Sequence, residues 1–276
     1  MLRRLLLGLS TLLLIVFVYE GAVHALLHPW LDLPDIIGGL NGQTLVLVLF
    51  SLTHAIYTLG WRHTLVFFSL SAVISWAFEQ AGVATGAIYG PYHYTDVLGV
   101  KLGHVPLLIP LAWFMMIYPS YVLANFIASD RPAGSQGKLG RIIGLAFLSA
   151  AIMTAWDLVV DPVLSGPAVK AWIWEQGGPY FGIPVQNYIG WMLTTFTVYL
   201  IYRLFERRFD SRPIGVLTVP IALMPLIAYG SIMISNSLAS GPEALHVIGP
   251  FVMGLPLIAA AARLNNYRRQ MQTAAS

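Results

Sequence analysis

The sequence predicts an all-α fold: a polytopic membrane helix bundle of about eight transmembrane helices, forming a single integral membrane domain over residues 1–276. Hydrophobic residues make up 57% of the chain, charged residues only 10%, and the mean hydropathy is +0.73. Soluble domains are about half apolar and about a quarter charged, so this chain cannot cover its surface with polar groups in water. The lack of cysteine excludes disulfides, thiolate nucleophiles and thiolate metal sites.

Eight apolar segments are long enough to cross a bilayer, which takes roughly 20 residues. The first follows Arg3 and Arg4, as the apolar part of a signal peptide would, but it continues through Leu27 without a clear cleavage site. We therefore expect it to be a membrane span. In chain order the predicted spans are Leu5–Leu27, Thr44–Gly60, Thr64–Gly82, Val105–Ala128, Arg141–Val160, Val185–Phe205, Ile214–Ser235 and Ala244–Ala262.

The distribution of basic residues predicts the orientation, because cytoplasmic segments carry the excess of Lys and Arg. With a cytoplasmic N-terminus, the inside segments hold thirteen of the fifteen basic residues and the outside segments hold only Lys101 and Lys170. We therefore expect a multi-pass protein of the cell membrane with both termini in the cytoplasm. The same distribution accounts for the net charge of +3, so no nucleic-acid partner is expected.

Two connections differ from ordinary membrane loops. Residues 83–104 and 161–184 are long, rich in Gly, Pro and aromatic residues, and poor in charge. Irregular backbone at membrane depth is tolerated only where protein or a cavity covers it. The sequence therefore predicts two packed or re-entrant loops, and the expected orientation places both, with the site, toward the outer face.

Carboxyl groups concentrate near these two loops. Glu79 and Asp157 fall in the outer third of their spans, Asp161 follows one turn after Asp157, and Asp96 lies in the first loop. Ionisable groups inside a membrane cost about 2.5–3.5 kcal/mol each and are functional candidates by default, although each could also be a hydrogen-bonded structural acid. Because Asp161 precedes Pro162, it is also expected to end its helix.

Aromatic residues fill the same region. Such residues are typical of an interfacial belt, but aromatic faces also stabilise a cation by about 0.5–2 kcal/mol and pack well against a flat polyene. Acids lined with aromatic faces suit protonation of an alkene and capture of the resulting carbocation. We predict a substrate-binding surface formed by Tyr89, Tyr92, Tyr94, Trp113, Trp156, Asn187 and Trp191.

The sequence gives weak support for a metal site. His54, His93 and His104 lack the paired spacing of metal ligands and are expected to be ordinary core or surface groups. Asp157 and Asp161 are spaced like one half of a magnesium–diphosphate motif, but the second acidic motif and the facing basic residues are missing. We therefore expect neither a metal nor another cofactor.

Three long motifs carry a family resemblance. TGAIYGPYHYTDVLGVKLGHVPLLIPLAWFMMIYPSY (Thr85–Tyr121), WDLVVDP (Trp156–Pro162) and GGPYFGIPVQNYIGW (Gly177–Trp191) resemble the CruF-type carotenoid 1,2-hydratases, closely over roughly residues 79–191. The resemblance implies addition of water to the terminal isopropylidene double bond of an acyclic carotenoid end group. It implies lycopene-like, γ-carotene-like or C50 substrates, with membrane lipids and other carotenoid biosynthetic enzymes as partners.

The residues themselves suggest the roles within such a reaction. We predict that Asp157 is the general acid, that Glu79 or Asp161 orients or deprotonates the attacking water, and that Asp96 completes the catalytic group. Two other functions stay open: a proton-coupled transporter of lipids or small molecules, and an intramembrane prenyl transferase.

Overall fold

Long helices account for most of the computed structural model, which describes residues 1–275. The helices are α1 (Leu2–Val18), α2 (His24–Leu27), α3 (Gly39–Leu59), α4 (Trp61–Thr85), α5 (Leu108–Ser129), α6 (Leu139–Leu164), α7 (Val185–Arg208), α8 (Val219–Leu238), α9 (Leu245–Val252), α10 (Gly254–Ala262) and α11 (Leu264–Ala275), and a π-helical turn (Tyr19–Val23) joins α1 to α2. The short strands are β1 (Tyr92–Tyr94), β2 (Lys101–Leu102), β3 (Val105–Pro106) and β4 (Trp172–Trp174).

The membrane-spanning helices confirm the predicted all-α polytopic bundle. Within residues 1–275, seven helical segments are long and apolar enough to cross a membrane. The sixth predicted span became α7, whose 24 residues reach far enough but are not apolar enough to be one of the seven. Its polar residues Asn187, Thr194 and Arg203 are buried, because α7 packs against α4 and α6.

The predicted end of α6 at Asp161 is wrong. The helix continues through Pro162 to Leu164. Proline has no N–H to donate to the carbonyl four residues earlier, and here the hydroxyl of Tyr180 donates to that carbonyl, Leu158 O, at 2.8 Å. The second loop therefore supplies the hydrogen bond that Pro162 removes, and Asp157 and Asp161 stay on one continuous helical face.

The two long loops pack against each other. Strand β1 of the first loop pairs antiparallel with β4 of the second, with Tyr92 opposite Trp174 and Tyr94 opposite Trp172. The Thr95 amide continues the contact by donating to Ala171 O at 3.1 Å. The paired backbone groups of the two loops are thus satisfied within the protein, as irregular backbone at one end of a membrane bundle requires.

A buried polar cluster joins the helices at the opposite end of α7. The Arg203 guanidinium donates to Asn125 Oδ1 at 3.0 Å and lies 4.5 Å from the centre of the Tyr121 ring. The Tyr121 hydroxyl donates to Glu206 Oε1 at 2.6 Å, and the Ser135 hydroxyl donates to Glu206 Oε2. The cluster holds the connection between α5 and α6 against α7.

Candidate active site

A cavity lies beneath the β1–β4 ladder at the loop end of the bundle, with about 1050 Å³ of empty space when the open space at its mouth is included. Its wall combines aromatic rings with carboxyl groups, and α4, α5, α6 and α7 all contribute to it. Of the residues predicted from the sequence, those that line it are Glu79, Tyr89, Tyr92, Tyr94, Trp113, Trp156, Asp161, Asn187 and Trp191.

Glu79, near the end of α4, is held by two tyrosines of β1. The hydroxyls of Tyr92 and Tyr94 both donate to Glu79 Oε2, the second at 2.8 Å. Alternate residues of a strand point to the same face, so both rings are buried while His93 between them is exposed. Burial, with a further contribution from the Glu79 carboxylate, raises the pKa of Tyr92 and Tyr94 well above the ordinary value of 10.0, and both hydroxyls remain donors.

Asp161 is held in the same way by two tryptophans of β4. Trp172 Nε1 donates to Asp161 Oδ1 at 2.8 Å and Trp174 Nε1 donates to the same oxygen at 3.2 Å. These tryptophans are the cross-strand partners of Tyr94 and Tyr92. One face of a two-stranded ladder therefore positions both Glu79 and Asp161.

Asn187, in the first turn of α7, joins Asp161 to Asp157. Its Nδ2 donates to Asp157 Oδ2 at 2.8 Å and to Asp161 Oδ2 at 2.9 Å. Asp157 is 1% exposed and its Oδ1 has no hydrogen-bond partner. Asp157 does not line the cavity and contacts the site through Asn187.

Aromatic residues form the rest of the wall. The rings of Trp113 and Trp191 are stacked with their centres 4.2 Å apart, and Trp156 meets Trp191 edge to face at 5.8 Å. Tyr89 is 1% exposed, and its hydroxyl lies 2.7 Å from Thr194 Oγ1. The cavity wall therefore combines aromatic rings with the two carboxyl groups of Glu79 and Asp161.

Comparison with known proteins identifies the family of this chain. Residues 41–260, more than half of the chain, match the model of a family described as carotenoid biosynthesis protein. The chain belongs to this family. That assignment confirms the kind of family expected from the three motifs. No solved structure matches the chain.

One relative of this chain is bisanhydrobacterioruberin hydratase of Haloarcula japonica. The two chains are 34% identical over 137 residues, which cover 49% of this chain and 42% of the relative. The match therefore extends over less than half of the relative's length.

Asp96, which was predicted to be catalytic, also lies away from the cavity wall. The Asp96 side chain is fully exposed, and its Oδ1 accepts from Lys101 Nζ at 3.2 Å. His93 lies at the surface with its Nδ1 3.2 Å from Glu175 Oε1. Among the residues that the structure describes, no group of three or more His, Asp or Glu side chains is arranged to hold a metal ion.

Sequence reasoning missed the opposite wall of the cavity. Gln43 and Thr44 of α3 and Ser235 and Asn236 of α8 line it, and Asn236 Nδ2 is buried without a partner. The only sequence signal was their position, since each is a polar residue close to the end of an apolar segment. They fall outside residues 79–191, over which the family resemblance is close.

Proposed function

We propose that this protein is a carotenoid hydratase, which adds water across the terminal isopropylidene double bond of an acyclic carotenoid end group. The family supplies the pathway, and the name of the relative from Haloarcula japonica supplies the reaction type. The observation that carries the proposal is the placement of Glu79 and Asp161 by one strand ladder on the wall of an aromatic cavity. Hydration of an alkene needs one acid, one water and one base in such a place.

The first step is protonation of the double bond. Asp157 and Asp161 are buried, share the amide of Asn187 and lie one helical turn apart, and two such carboxyl groups resist being ionised together. The pair therefore keeps one proton. Asp161 lines the cavity and delivers this proton to the less substituted alkene carbon, whose new C–H bond uses the π electrons.

This assignment refines the role expected for Asp157. The sequence suggested Asp157 as the acid itself, but Asp157 does not line the cavity. In the proposal Asp161 is the catalytic acid, and Asp157 is a positioning residue that keeps the shared proton beside it. General acid catalysis of this kind contributes about 10²–10⁴-fold.

The second step is protection of the tertiary cation left on the more substituted carbon. The stacked rings of Trp113 and Trp191 and the edge-packed Trp156 offer aromatic faces to a positive charge. Such contacts contribute about 0.5–1 kcal/mol at exposed sites and about 2 kcal/mol or more when the cation is desolvated. The same rings keep bulk water away, so the cation reacts with the water bound at the carboxylate.

The third step is capture of that water. Glu79 accepts hydrogen bonds from Tyr92 and Tyr94, an arrangement suited to an ionised carboxylate. Glu79 takes a proton from the water while the water oxygen bonds to the cationic carbon, giving a tertiary alcohol. Transfer of that proton back to the aspartate pair restores the site, and the net change is the addition of one water.

The proposal also includes the setting of the reaction. The substrate is a long polyene of the lycopene, γ-carotene or C50 type, dissolved among membrane lipids, with other carotenoid enzymes as suppliers. The acid and base come from the protein, so no cofactor is required. The termini are cytoplasmic and the site faces the outer side of the cell membrane, as the distribution of basic residues indicates.

The two alternatives have less support. A prenyl transferase needs open carboxylate oxygens for magnesium, whereas both oxygens of Asp161 accept from indole or amide N–H groups. A transporter would use the acids as a proton relay and would release its substrate chemically unchanged. Pigment analysis separates it from a hydratase.

The test is expression in bacteria that accumulate lycopene, followed by mass analysis of the extracted pigments. The proposal expects a more polar carotenoid heavier by one water, absent with Asp161→Asn and retained with Asp96→Asn. Asp96 is the matched control because its carboxyl group is exposed and lies away from the cavity. Unchanged lycopene, monocyclic and C50 pigments in cells with a well-folded protein would contradict the hydratase assignment.

A further inference from the structure

A second pocket lies at the opposite end of the bundle from the cavity. It is formed where the turn between α3 and α4 meets the segment that follows α7. Arg62 in this pocket and Glu79 in the cavity are both on α4, separated by 17 residues, and a helix rises about 1.5 Å per residue. The two sites are therefore about 25 Å apart along the bundle and share no lining residue.

Backbone contacts fix the shape of this pocket. The Ile214 amide donates to Tyr57 O at 3.0 Å, and Nε2 of the buried His63 donates to Phe209 O at 3.0 Å. Gly60 has a φ of +83°, and a Cβ there would lie 2.6 Å from Arg212 O. Close approach of the two segments thus depends on Gly60, and the pocket is built into the fold.

The rim of the pocket is strongly basic. Arg62, Arg208 and Arg212 line it, against the single carboxyl group of Asp210, whose Oδ1 accepts from Gln136 Nε2 at 3.2 Å. In the part of the chain that the structure describes, none of these three guanidinium groups has a carboxylate oxygen within 4.0 Å. The positive charge is available to an anion.

Aromatic side chains lie beside these cations. The Arg62 guanidinium is 5.3 Å from the centre of the Trp61 ring, and the Arg208 guanidinium is 5.6 Å from that of Phe209. Trp61 is 58% exposed and Phe209 is 52% exposed. Exposed aromatic rings at the ends of spanning helices mark the boundary between lipid and water, so this pocket opens where phospholipid head groups lie.

We propose that this pocket binds the phosphate-bearing head group of an anionic phospholipid. Guanidinium groups bind phosphate oxygens through two parallel hydrogen bonds. Three guanidinium groups carry more positive charge than the single phosphate of a zwitterionic head group requires, since that head group has a cation of its own. The neighbouring rings would contact the glycerol and the first acyl carbons, which a free phosphate ion does not have. The expected orientation places the pocket at the cytoplasmic leaflet, where anionic lipids attract basic residues.

The test compares lipid retention by the purified full chain in detergent, using native mass spectrometry with phosphatidylglycerol and phosphatidylcholine. We expect retention of phosphatidylglycerol over phosphatidylcholine by about tenfold or more, since each basic residue near a membrane surface contributes to anionic lipid binding. The triple variant Arg62→Gln, Arg208→Gln, Arg212→Gln should lose this preference. A charge-matched control, Arg207→Gln, Arg268→Gln, Arg269→Gln, changes exposed arginines outside the pocket and should keep it.

Three results would overturn the proposal: equal retention of the two lipids, an unchanged preference in the triple variant, or retention of inorganic phosphate in place of phosphatidylglycerol when both are supplied at equal concentration. The last result would assign the pocket to a free anion. If the triple variant does not fold, the double variant Arg62→Gln, Arg212→Gln gives the same comparison. Pigment hydration is measured in parallel and should continue in the triple variant, which keeps this test separate from the proposed function.

Discussion

The Nε2–H of His54 donates to the carbonyl oxygen of Ile221 at 2.8 Å. Pro225 lies four residues after Ile221 inside α8, so that carbonyl has no helical N–H partner. A carbonyl only accepts, which fixes the proton on Nε2 and leaves Nδ1 to accept from the Tyr118 hydroxyl at 2.7 Å. His54 is therefore a structural group that repairs a proline-broken helix.

The same relationship occurs at two other prolines. Pro119 in α5 leaves Met115 O free, and Ser51 Oγ donates to it at 2.9 Å. Pro162 in α6 leaves Leu158 O free, and Tyr180 donates to it. In each case the donor comes from a different element, so these prolines tie the bundle together where water cannot serve.

Replacing His54 with phenylalanine should lower the stability of the bundle. The variant keeps a ring of similar size but leaves Ile221 O buried without a donor, which costs about 1–3 kcal/mol. Thermal unfolding of the purified protein in detergent measures the change. His104→Phe, at an exposed position, is the control, and equal melting temperatures for both variants would contradict the structural role of His54.

Asn187→Leu should impair the reaction more than the fold. The change removes the N–H groups that Asp157 and Asp161 share, and loss of a partner to a buried polar group costs about 1–3 kcal/mol. If this free energy is lost from the stabilisation of the transition state, product formation falls roughly 10- to 100-fold. Turnover with a lycopene-type substrate in vesicles should show the loss in kcat with KM nearly unchanged. A loss confined to KM would assign Asn187 to substrate binding instead.

Much of the architecture follows directly from the sequence. A bilayer imposes span length and apolar composition on each helix, so segments such as Leu108–Ser129 are evident from composition alone. Carboxyl groups such as Glu79 are rare inside spans and attract attention for that reason. The polar composition of α7 could not be explained from the sequence, because its polar residues are buried against α4 and α6 and that burial is a property of the tertiary structure.

Long-range contacts could not be predicted from the pattern. Nothing in the spacing of Tyr94 and Trp172, 78 residues apart in the chain, indicates that β1 and β4 pair. Likewise the rule that the residue before proline leaves the helix failed at Asp161, since Tyr180 from the loop that follows α6 replaces the missing donor. Asp96 lies in a loop that carries site residues, but its own side chain is exposed and does not reach the cavity. Position in the same loop was therefore not enough to predict a place in the site.

Replacing both Trp172 and Trp174 with phenylalanine should reduce hydration while keeping the aromatic wall. The variant removes the two indole N–H groups that donate to Asp161 Oδ1. These groups would stabilise the carboxylate that forms as Asp161 gives up its proton, and each hydrogen bond to a charged group is worth about 1.5–3 kcal/mol. Pigment yield at equal protein level measures the effect. Trp30→Phe, at a position 77% exposed, should have no effect, and full activity of the double variant would remove Asp161 from the proposed acid role.

Gly190→Ala should displace Tyr89 from the cavity wall. A Cβ at Gly190 would lie 2.5 Å from Tyr89 Cδ1, and one at Gly82 on the other side of the ring would lie 2.6 Å from Cδ2. Overpacking of this kind costs about 1–3 kcal/mol, so both melting temperature and product yield should fall. Gly144→Ala, with no atom within 4 Å of its added Cβ, should be neutral or slightly stabilising. Equal behaviour of the two variants would contradict the close fit of Tyr89.

Tyr94→Phe should weaken the water-activating side of the site without changing its alkaline limit. The variant removes one of two hydroxyl donors to Glu79 Oε2, and product formation should fall about tenfold. Because burial raises the folded pKa of Tyr94 well above 10.0, its contribution to stability is complete below the ordinary tyrosine pKa of about 10 and is lost only as pH rises toward the folded value. Product formation by the unmodified protein should therefore show no tyrosine-linked decline up to about pH 9. A decline below that pH that disappears in Tyr94→Phe would show that Tyr94 titrates early and is not the permanent donor inferred from its burial.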